Sequence, residues 1–278
     1  AKNIGIRRDK SGFEIHVDSV LISRLSDLAL NLSLITFHSN SISLIEGEPQ
    51  YRRRFIDWWL FHSDTNFHKE WLRYNNLLKQ RNAALRSDIN HIHVWDDSLA
   101  ESGEIIHLSR VNATEILMHQ LFSLIEIEFP SYLSGLSWQY QSGWPKSENL
   151  ISSLAKNRTK DIQYGFTSVG PHRGDLRLSI YGKDAKDVLS RGQQKTLSFL
   201  MLMSLILSYK NNFGHVPVFI IDDIYSELES SHSSYLIEKA IGLGGQVILS
   251  SIDDKKFGFP ATTPVSKFTL QKGGVLML

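Results

Sequence analysis

The segment Val218-Phe219-Ile220-Ile221-Asp222-Asp223, introduced by Pro217, constrains this chain more than any other. Four apolar residues in a row, without alternation, are the pattern of a strand buried on both faces of a parallel sheet. Its flanks fit such a sheet. Ser190 stands at the N-cap position of a helix predicted to run to about Tyr209. A second helix is predicted from about Ser231 to Ile241, closed by Gly242, and Gln246 to Leu249 reads as another buried strand. Strand, helix, strand at this spacing is a βαβ unit. Ligands of open α/β folds bind at the carboxyl ends of such strands, which is where Asp222 and Asp223 fall.

Upstream the pattern changes more than once. Ile4 to Val17 alternates apolar and polar residues through Gly12, as a hairpin does, and Leu30-Asn31-Leu32-Ser33-Leu34-Ile35 alternates again as a strand. From Tyr51 to Arg86 the period is helical. Phe55, Trp58 and Trp59 share one face, and Trp71, Leu72, Asn75, Leu78 and Asn82 continue a stripe that leaves Lys79 and Arg81 off it. Ser98 to about Glu128 is predicted helical, with Ile105, Leu108, Ile116, Leu117, Leu121 and Leu124 at helical spacing, and Pro130 ends it. A short strand at 136–145, a polar helix at 147–160 and a strand from Leu176 to Ile180, turning at Gly182, follow. The expected fold class is α/β with a helical insertion. Residues 1–51 and 163–278 form the sheet-bearing parts, and 52–162 the insertion.

Composition narrows the function classes. With 278 residues and 42% hydrophobic content, a packed core is accessible. A formal net charge of +1 neither demands nor excludes nucleic acid, so any such contact rests on a local patch. The chain has no cysteine, which excludes disulfide frameworks and thiolate metal sites and suits a cytoplasmic protein. The longest apolar stretch, Leu197 to Leu207, is interrupted by Ser198 and Ser204 and is too short to span a bilayer. No secretory signal pattern opens the sequence. The chain begins at Ala1 with what reads as mid-domain sequence, so a truncated chain is expected.

Two groups of residues carry chemistry. Asp222, at a strand end, can hold Mg²⁺, and Asp223 can orient or deprotonate an attacking water; the plainer alternative is a pair of solvated acids capping a turn. Ser190, Arg191, Gly192 and Gln193 open a helix whose free N–H groups and dipole favour an anion. Ser190 offers a hydroxyl, Gly192 permits close backbone approach, Arg191 adds charge, and Gln193 caps or contacts a ribose or phosphate. The plainer alternative there is an ordinary capped helix with Leu197, Leu200, Met201 and Leu205 in the core. Arg52, Arg53 and Arg54 are candidates for phosphate contact or for internal ion pairs. His91 and His93 lack a third metal ligand nearby. Trp58, Trp59, Trp71 and Trp95 are expected to pack the insertion. His172 and Arg173, after a Gly-Pro turn, either link the two parts or approach DNA.

In this order and spacing, Leu189-Ser190-Arg191-Gly192-Gln193 and the Asp222-Asp223 strand, followed by Ser226-Glu227-Leu228-Glu229, resemble the signature, Walker B strand and D-loop of an ABC/SMC-type ATPase head. Further segments narrow the resemblance to the RecF family: Gly47-Glu48-Pro49-Gln50-Tyr51-Arg52-Arg53-Arg54-Phe55, Leu78-Lys79-Gln80-Arg81-Asn82, and Gly170-Pro171-His172-Arg173-Gly174-Asp175. Arg191 within the signature and Asp223 in place of glutamate both resemble that family. The resemblance implies a two-lobed head, with the ATPase sheet as lobe I and the helical insertion as lobe II. It implies ATP and Mg²⁺ as cofactors and an ATP-dependent homodimer. It also implies binding to double-stranded DNA and gap junctions, slow ATP hydrolysis, and action with RecR and RecO in placing RecA. Asp222 would then serve Mg²⁺ and Asp223 the water. Ser190, Gly192 and Gln193, beside Arg191, would meet the partner's ATP, and Ser226 would lie at the dimer seam.

The sequence departs from the family in one large respect: it contains no GxxxxGK[ST] phosphate loop, and Gly182-Lys183 lacks the preceding glycine to make one. The chain is therefore expected to lack the N-terminal part of lobe I, to show little ATPase activity alone, and to leave a sheet edge exposed. Around His38 and Ser39 it also differs from RecF relatives, and Ser250-Ser251 stands where transporter-type heads carry a switch histidine. The alternatives are another ABC/SMC-class head, such as an OLD-type or Rad50-like ATPase, or a non-catalytic interaction module.

Overall fold

The computed structural model describes residues 3–9, 12–87, 91–128, 131–223, 230–251, 259, 263–271 and 274–277. Strands β1 (Ile4–Asp9), β2 (Gly12–Val17) and β3 (Val20–Ile22) form an antiparallel meander. Asp18 and Ser19 turn the second hairpin with φ of 49° and 68°, the handedness that matches strand twist. The alternating segment at 30–35 is not one strand. Helix α1 (Leu25–Asn31) takes its first residues, and β4 (Leu34–Phe37) begins only where the strand Val218–Ile221 is available to pair. Among the described residues, residues 30–32 have no partner strand, so helical bonds such as Leu32 N–H to Leu28 O satisfy their backbone instead.

The helical run predicted from Tyr51 to Arg86 is two helices, α2 (Pro49–Ser63) and α3 (Phe67–Ser87). Asp64 divides them: its Oδ1 accepts from the N–H groups of Asn66 and Phe67, a local alternative to continued helix. The buried line of α3 is Phe67, Tyr74, Arg81 and Leu85. Arg81 is thus on the buried face rather than off it, because Asp96 and Asp161 neutralise it there, whereas Trp71 and Leu72 are exposed. Helix α4 (His93–Glu128) buries Leu99, Ile106, Ala113, Leu117, Met118 and Leu121. Three of its predicted stripe residues face solvent instead, Ile105 and Ile116 one position off the buried line and Leu108 two.

Next come β5 (Leu136–Gln141), α5 (Leu150–Tyr164), β6 (Asp175–Ile180), β7 (Lys183–Asp184) and α6 (Ala185–Val188), with β5, β6 and β7 forming an antiparallel sheet. Gly143, after β5, holds φ +95°, and a Cβ there would overlap the carbonyl of Gly170. This close approach brings the 170–174 turn against the helices.

Helix α7 (Arg191–Phe213) is the spine of the molecule. Ser190 caps its start and Gly214, at φ +73°, its end. Leu197, Phe199, Met201 and Ile206 are fully buried. Strand β8 (Val218–Ile221), helix α8 (Ser230–Gly242) and strand β9 (Val247–Leu249) complete a parallel sheet of order β4-β8-β9. Strands β10 (Phe268–Gln271) and β11 (Gly274–Met277) pair near the end of the chain.

Burial of β8 on both faces is not observed. Phe219 and Ile221 are buried under α7, whereas Val218 and Ile220 are half-buried, and neighbouring Leu34 and Ile248 are 37% and 46% exposed. Among the described residues the helices cover one face of this sheet more completely than the other.

Candidate functional site

The parallel register fixes the chemistry-bearing edge. Phe37, Ile221 and Leu249 lie side by side, so the next residue of each strand, His38, Asp222 and Ser250, shares the carboxyl end. Asp222 N–H donates to Phe37 O at 2.9 Å, and Ser250 N–H to Ile221 O at 3.0 Å. The Ser250 hydroxyl donates to Asp222 Oδ1 and accepts from Asp223 N–H, the latter at 3.1 Å. Asp223 then turns sharply, at φ +48°. Asp222 is exposed and Asp223 partly so. The edge thus presents oxygen donors from two carboxylates and a hydroxyl, the set suited to a hard cation with retained waters. Among the described residues no group of three or more histidines or carboxylates gathers as a metal cluster, at this edge or away from it, and His91 and His93 are exposed.

His38 uses its own ring to cap the turn after β4: its Nδ1 accepts from Asn40 N–H at 3.3 Å, while its own N–H donates to Ser41 Oγ. It is occupied in local structure.

The predicted anion site has a defined geometry. Ser190 Oγ accepts from Gln193 N–H at 3.3 Å, and Gln193 Oε1 accepts from Ser190 N–H at 2.9 Å. This reciprocal capping box spends acceptor atoms only. The Ser190 O–H and the Gln193 Nε2 amide remain donors, held beside Gly192 and the exposed Arg191 at the positive end of a 23-residue helix. A cap built this way is prepared for an anion without rearrangement.

Asp222 and Ser190 do not meet. The ring of Phe199 lies 5.0 Å from Phe37 and 5.6 Å from Phe219, and Tyr209 bonds Ser33 at 2.8 Å. Helix α7 therefore runs antiparallel to β4 and β8. Ser190 stands nine residues before Phe199, about 14 Å along the axis at a helical rise. The carboxylates stand only about 3 Å beyond the last strand residue. The signature end projects on the order of 10 Å past the sheet edge. Ser226 lies outside the described residues.

The arginines divide by role. Arg52 is buried and bidentate to Asp175, at 2.8 and 3.1 Å, and also holds Gly47 O, so it is an internal ion pair. Arg110 is bidentate to Asp57, at 2.7 and 2.8 Å, and donates to Pro171 O. Sequence reasoning missed Asp57, Asp96, Arg110, Asp161 and Asp175. The available signal was an arginine in register with buried helix positions. His172 links rather than exposes: its Nε2–H donates to Thr167 O at 3.0 Å, and Tyr74 O–H donates to its Nδ1 at 2.7 Å. Burial holds this imidazole down at about 4 and pushes the Tyr74 phenol above its usual range. Arg173 is exposed over the Phe166 ring.

A parallel sheet ending in Asp222-Asp223, a spine helix capped for an anion, and a helical segment inserted between strands β4 and β8 define an ABC-type ATPase head. No family model matches the chain. Curated relatives do. It is 38% identical over 252 residues to the DNA replication and repair protein RecF of Thioalkalivibrio sulfidiphilus, covering 90% of this chain and 69% of the relative. To that of Shewanella woodyi it is 33% identical over 279 residues, covering 99% and 76%. Two solved structures of the recombination mediator protein RecF in the RecFOR pathway, with ATP and with ATPγS, each superpose with a TM-score of 0.82, at 26% and 25% identity. Each match covers 100% of this chain and 76% of the other. The chain belongs to the RecF family. Among the described residues no helix is long and apolar enough to cross a membrane.

Proposed function

We propose that the chain contributes two separate half-sites to an ATP-sandwiching RecF dimer that binds double-stranded DNA and gap junctions. The observation that carries this reading is the displacement of the Ser190 cap from the Asp222 edge. With the two ends on the order of 10 Å apart, a γ-phosphate held beside Asp222 lies out of hydrogen-bond reach of the cap, so each serves a different ATP. Asp222 would hold Mg²⁺, and Asp223 beside it would orient the attacking water. Mg²⁺ supplies neutralisation of phosphate charge. Ser190 O–H, Gln193 Nε2 and the Gly192 backbone, with Arg191 beside them, meet the γ-phosphate of the partner's ATP. Ser226 is assigned to the dimer seam. An aspartate at 223 is shorter than glutamate and reaches the water less closely, so hydrolysis is slow. Residues 1–51 and 163–278 are lobe I and 52–162 lobe II. The solved relatives, with ATP and ATPγS in the RecFOR pathway, support ATP as the ligand and partners within that pathway; the partners proposed are RecR and RecO, with RecA loading downstream. The proposed setting is the cytoplasm.

The test is duplex DNA binding by a complementing pair. The Thioalkalivibrio relative, with its residue matching Ser190 replaced by arginine, is expected not to complete a site with itself. Mixed with this chain, it is expected to bind a labelled duplex at least tenfold more tightly with ATPγS than without. Equal affinity in both conditions would overturn the proposal.

A further inference from the structure

A cavity of about 200 Å³ lies between α2, α3, α4 and the 171–172 turn. Arg53 and Arg54 line it from the first turns of α2, and Trp71 and Asn75 from α3. Its charge is unbalanced. The sole carboxylate in its lining, Asp57, gives both oxygens to Arg110. The nearby Asp175 gives both of its oxygens to Arg52. Arg53 donates Nη1 to Gly174 O at 2.7 Å, and no acceptor among the described residues takes its Nε or Nη2. Arg54 is exposed. Four guanidiniums thus share two carboxylates; Arg53, Arg54 and Arg110 line the cavity, and of these Arg53 and Arg54 are the two without a carboxylate partner. Burial, then the neighbouring Arg110 charge, draw Arg53 below the usual arginine range, which marks a cation short of compensation. Gln50 and Asn75 add amide donors, and the Trp71 ring, 38% exposed, borders the opening.

We infer that this cavity binds a single phosphate group, taken bidentately by Arg53 and Arg54. Planar guanidinium forks suit phosphate oxygens, and partial enclosure protects the pair from salt. The site lies on α2, apart from the Asp222 edge and the Ser190 cap. It stands whether or not the ATP-sandwich reading does, and it operates without ATP.

The experiment uses the whole chain without added nucleotide. The probes are inorganic phosphate, a short single-stranded oligonucleotide bearing a 5′-phosphate, and the same oligonucleotide with a 5′-hydroxyl. Trp71 fluorescence, taken as the difference from a Trp71→Phe variant, reports occupancy. Saturable binding of inorganic phosphate and of the phosphorylated oligonucleotide, weakened roughly tenfold or more in Arg54→Met, is the expected result. A requirement for the 5′-phosphate assigns the ligand to a nucleic-acid end; equal binding of both oligonucleotides assigns it to backbone phosphate. Both outcomes support the site. Arg54 is exposed, so its variant is expected to fold, and Arg53→Lys provides a second test with charge kept and the fork removed. No saturable binding of any probe, or binding unchanged in both variants, would overturn the inference.

Discussion

Arg81→Met is expected to destabilise the chain by roughly 3–5 kcal/mol, the cost of stranding buried charge. Arg81 is fully buried, with Nε 2.7 Å from Asp96 Oδ1, and Nη1 2.7 Å from Asp161 Oδ2 and 2.9 Å from Thr167 Oγ1. One side chain thereby joins α3, α4, α5 and the loop leading to the 170–174 turn. Asp96 keeps Arg158 when Arg81 is lost, because Arg158 Nη2 sits 2.7 Å from its Oδ2. Asp161 keeps only the N–H and hydroxyl of Ser168. It is fully buried, and its negative charge is left without a cation. The effect should therefore fall on Asp161, and Arg81→Met with Asp161→Asn together should cost less than the sum of the two single changes. Urea unfolding of the four proteins measures this. A loss below about 1 kcal/mol in Arg81→Met, or strict additivity, would show that water or a rearranged neighbour satisfies Asp161.

The second large effect is a loss of stability on acidification. Burial lowers both His172 and His62 from 6.5 to about 4. His172 is held neutral by Tyr74 O–H donating to its Nδ1, a bond that a protonated ring cannot accept. His62 lies between the rings of Trp58 and Tyr209. The unfolded chain binds these protons near pH 6.5 and the folded chain only near 4, so the unfolded state carries more protons in between. Stability then rises with pH across that window. It is complete above about 6.5, is lost as pH falls towards 4, and changes no further from these groups below that. The ceiling is on the order of 3 kcal/mol for His172 and is lower for His62, which water partly screens. Denaturation midpoints of wild type and His172→Gln, compared at pH 7 and pH 5, isolate the His172 share as the difference between their slopes. A wild-type midpoint that stays flat or rises on acidification would contradict the assignment.

Local sequence revealed what local physics decides. The cap of α7 was legible because Ser190 and Gln193 satisfy each other three residues apart. The Asp222-Asp223 edge was legible because an unbroken apolar run ends there. What needed distant partners was not legible. Arg52 and Asp175 are 123 residues apart, and Arg81 and Asp161 are 80 apart. A period-based reading therefore set Arg81 on the solvent face of α3. Only the folded sheet brings Ser250 to Asp222 and Asp223, so its hydrogen bonds could not be read from its neighbours. The alternation at 30–35 misled because strand formation depends on a partner, and β8 reaches only as far as Leu34.

The central claim is that the Ser190 cap completes a nucleotide site on a different chain. Sedimentation of this chain with the signature-blocked relative, with and without ATPγS, tests it most directly. The predicted result is a heterodimer that forms only with ATPγS and disappears when this chain carries Ser190→Arg, an exposed cap position where the substitution costs the fold about 1 kcal/mol. A heterodimer that forms equally without nucleotide, or that persists in Ser190→Arg, would contradict it.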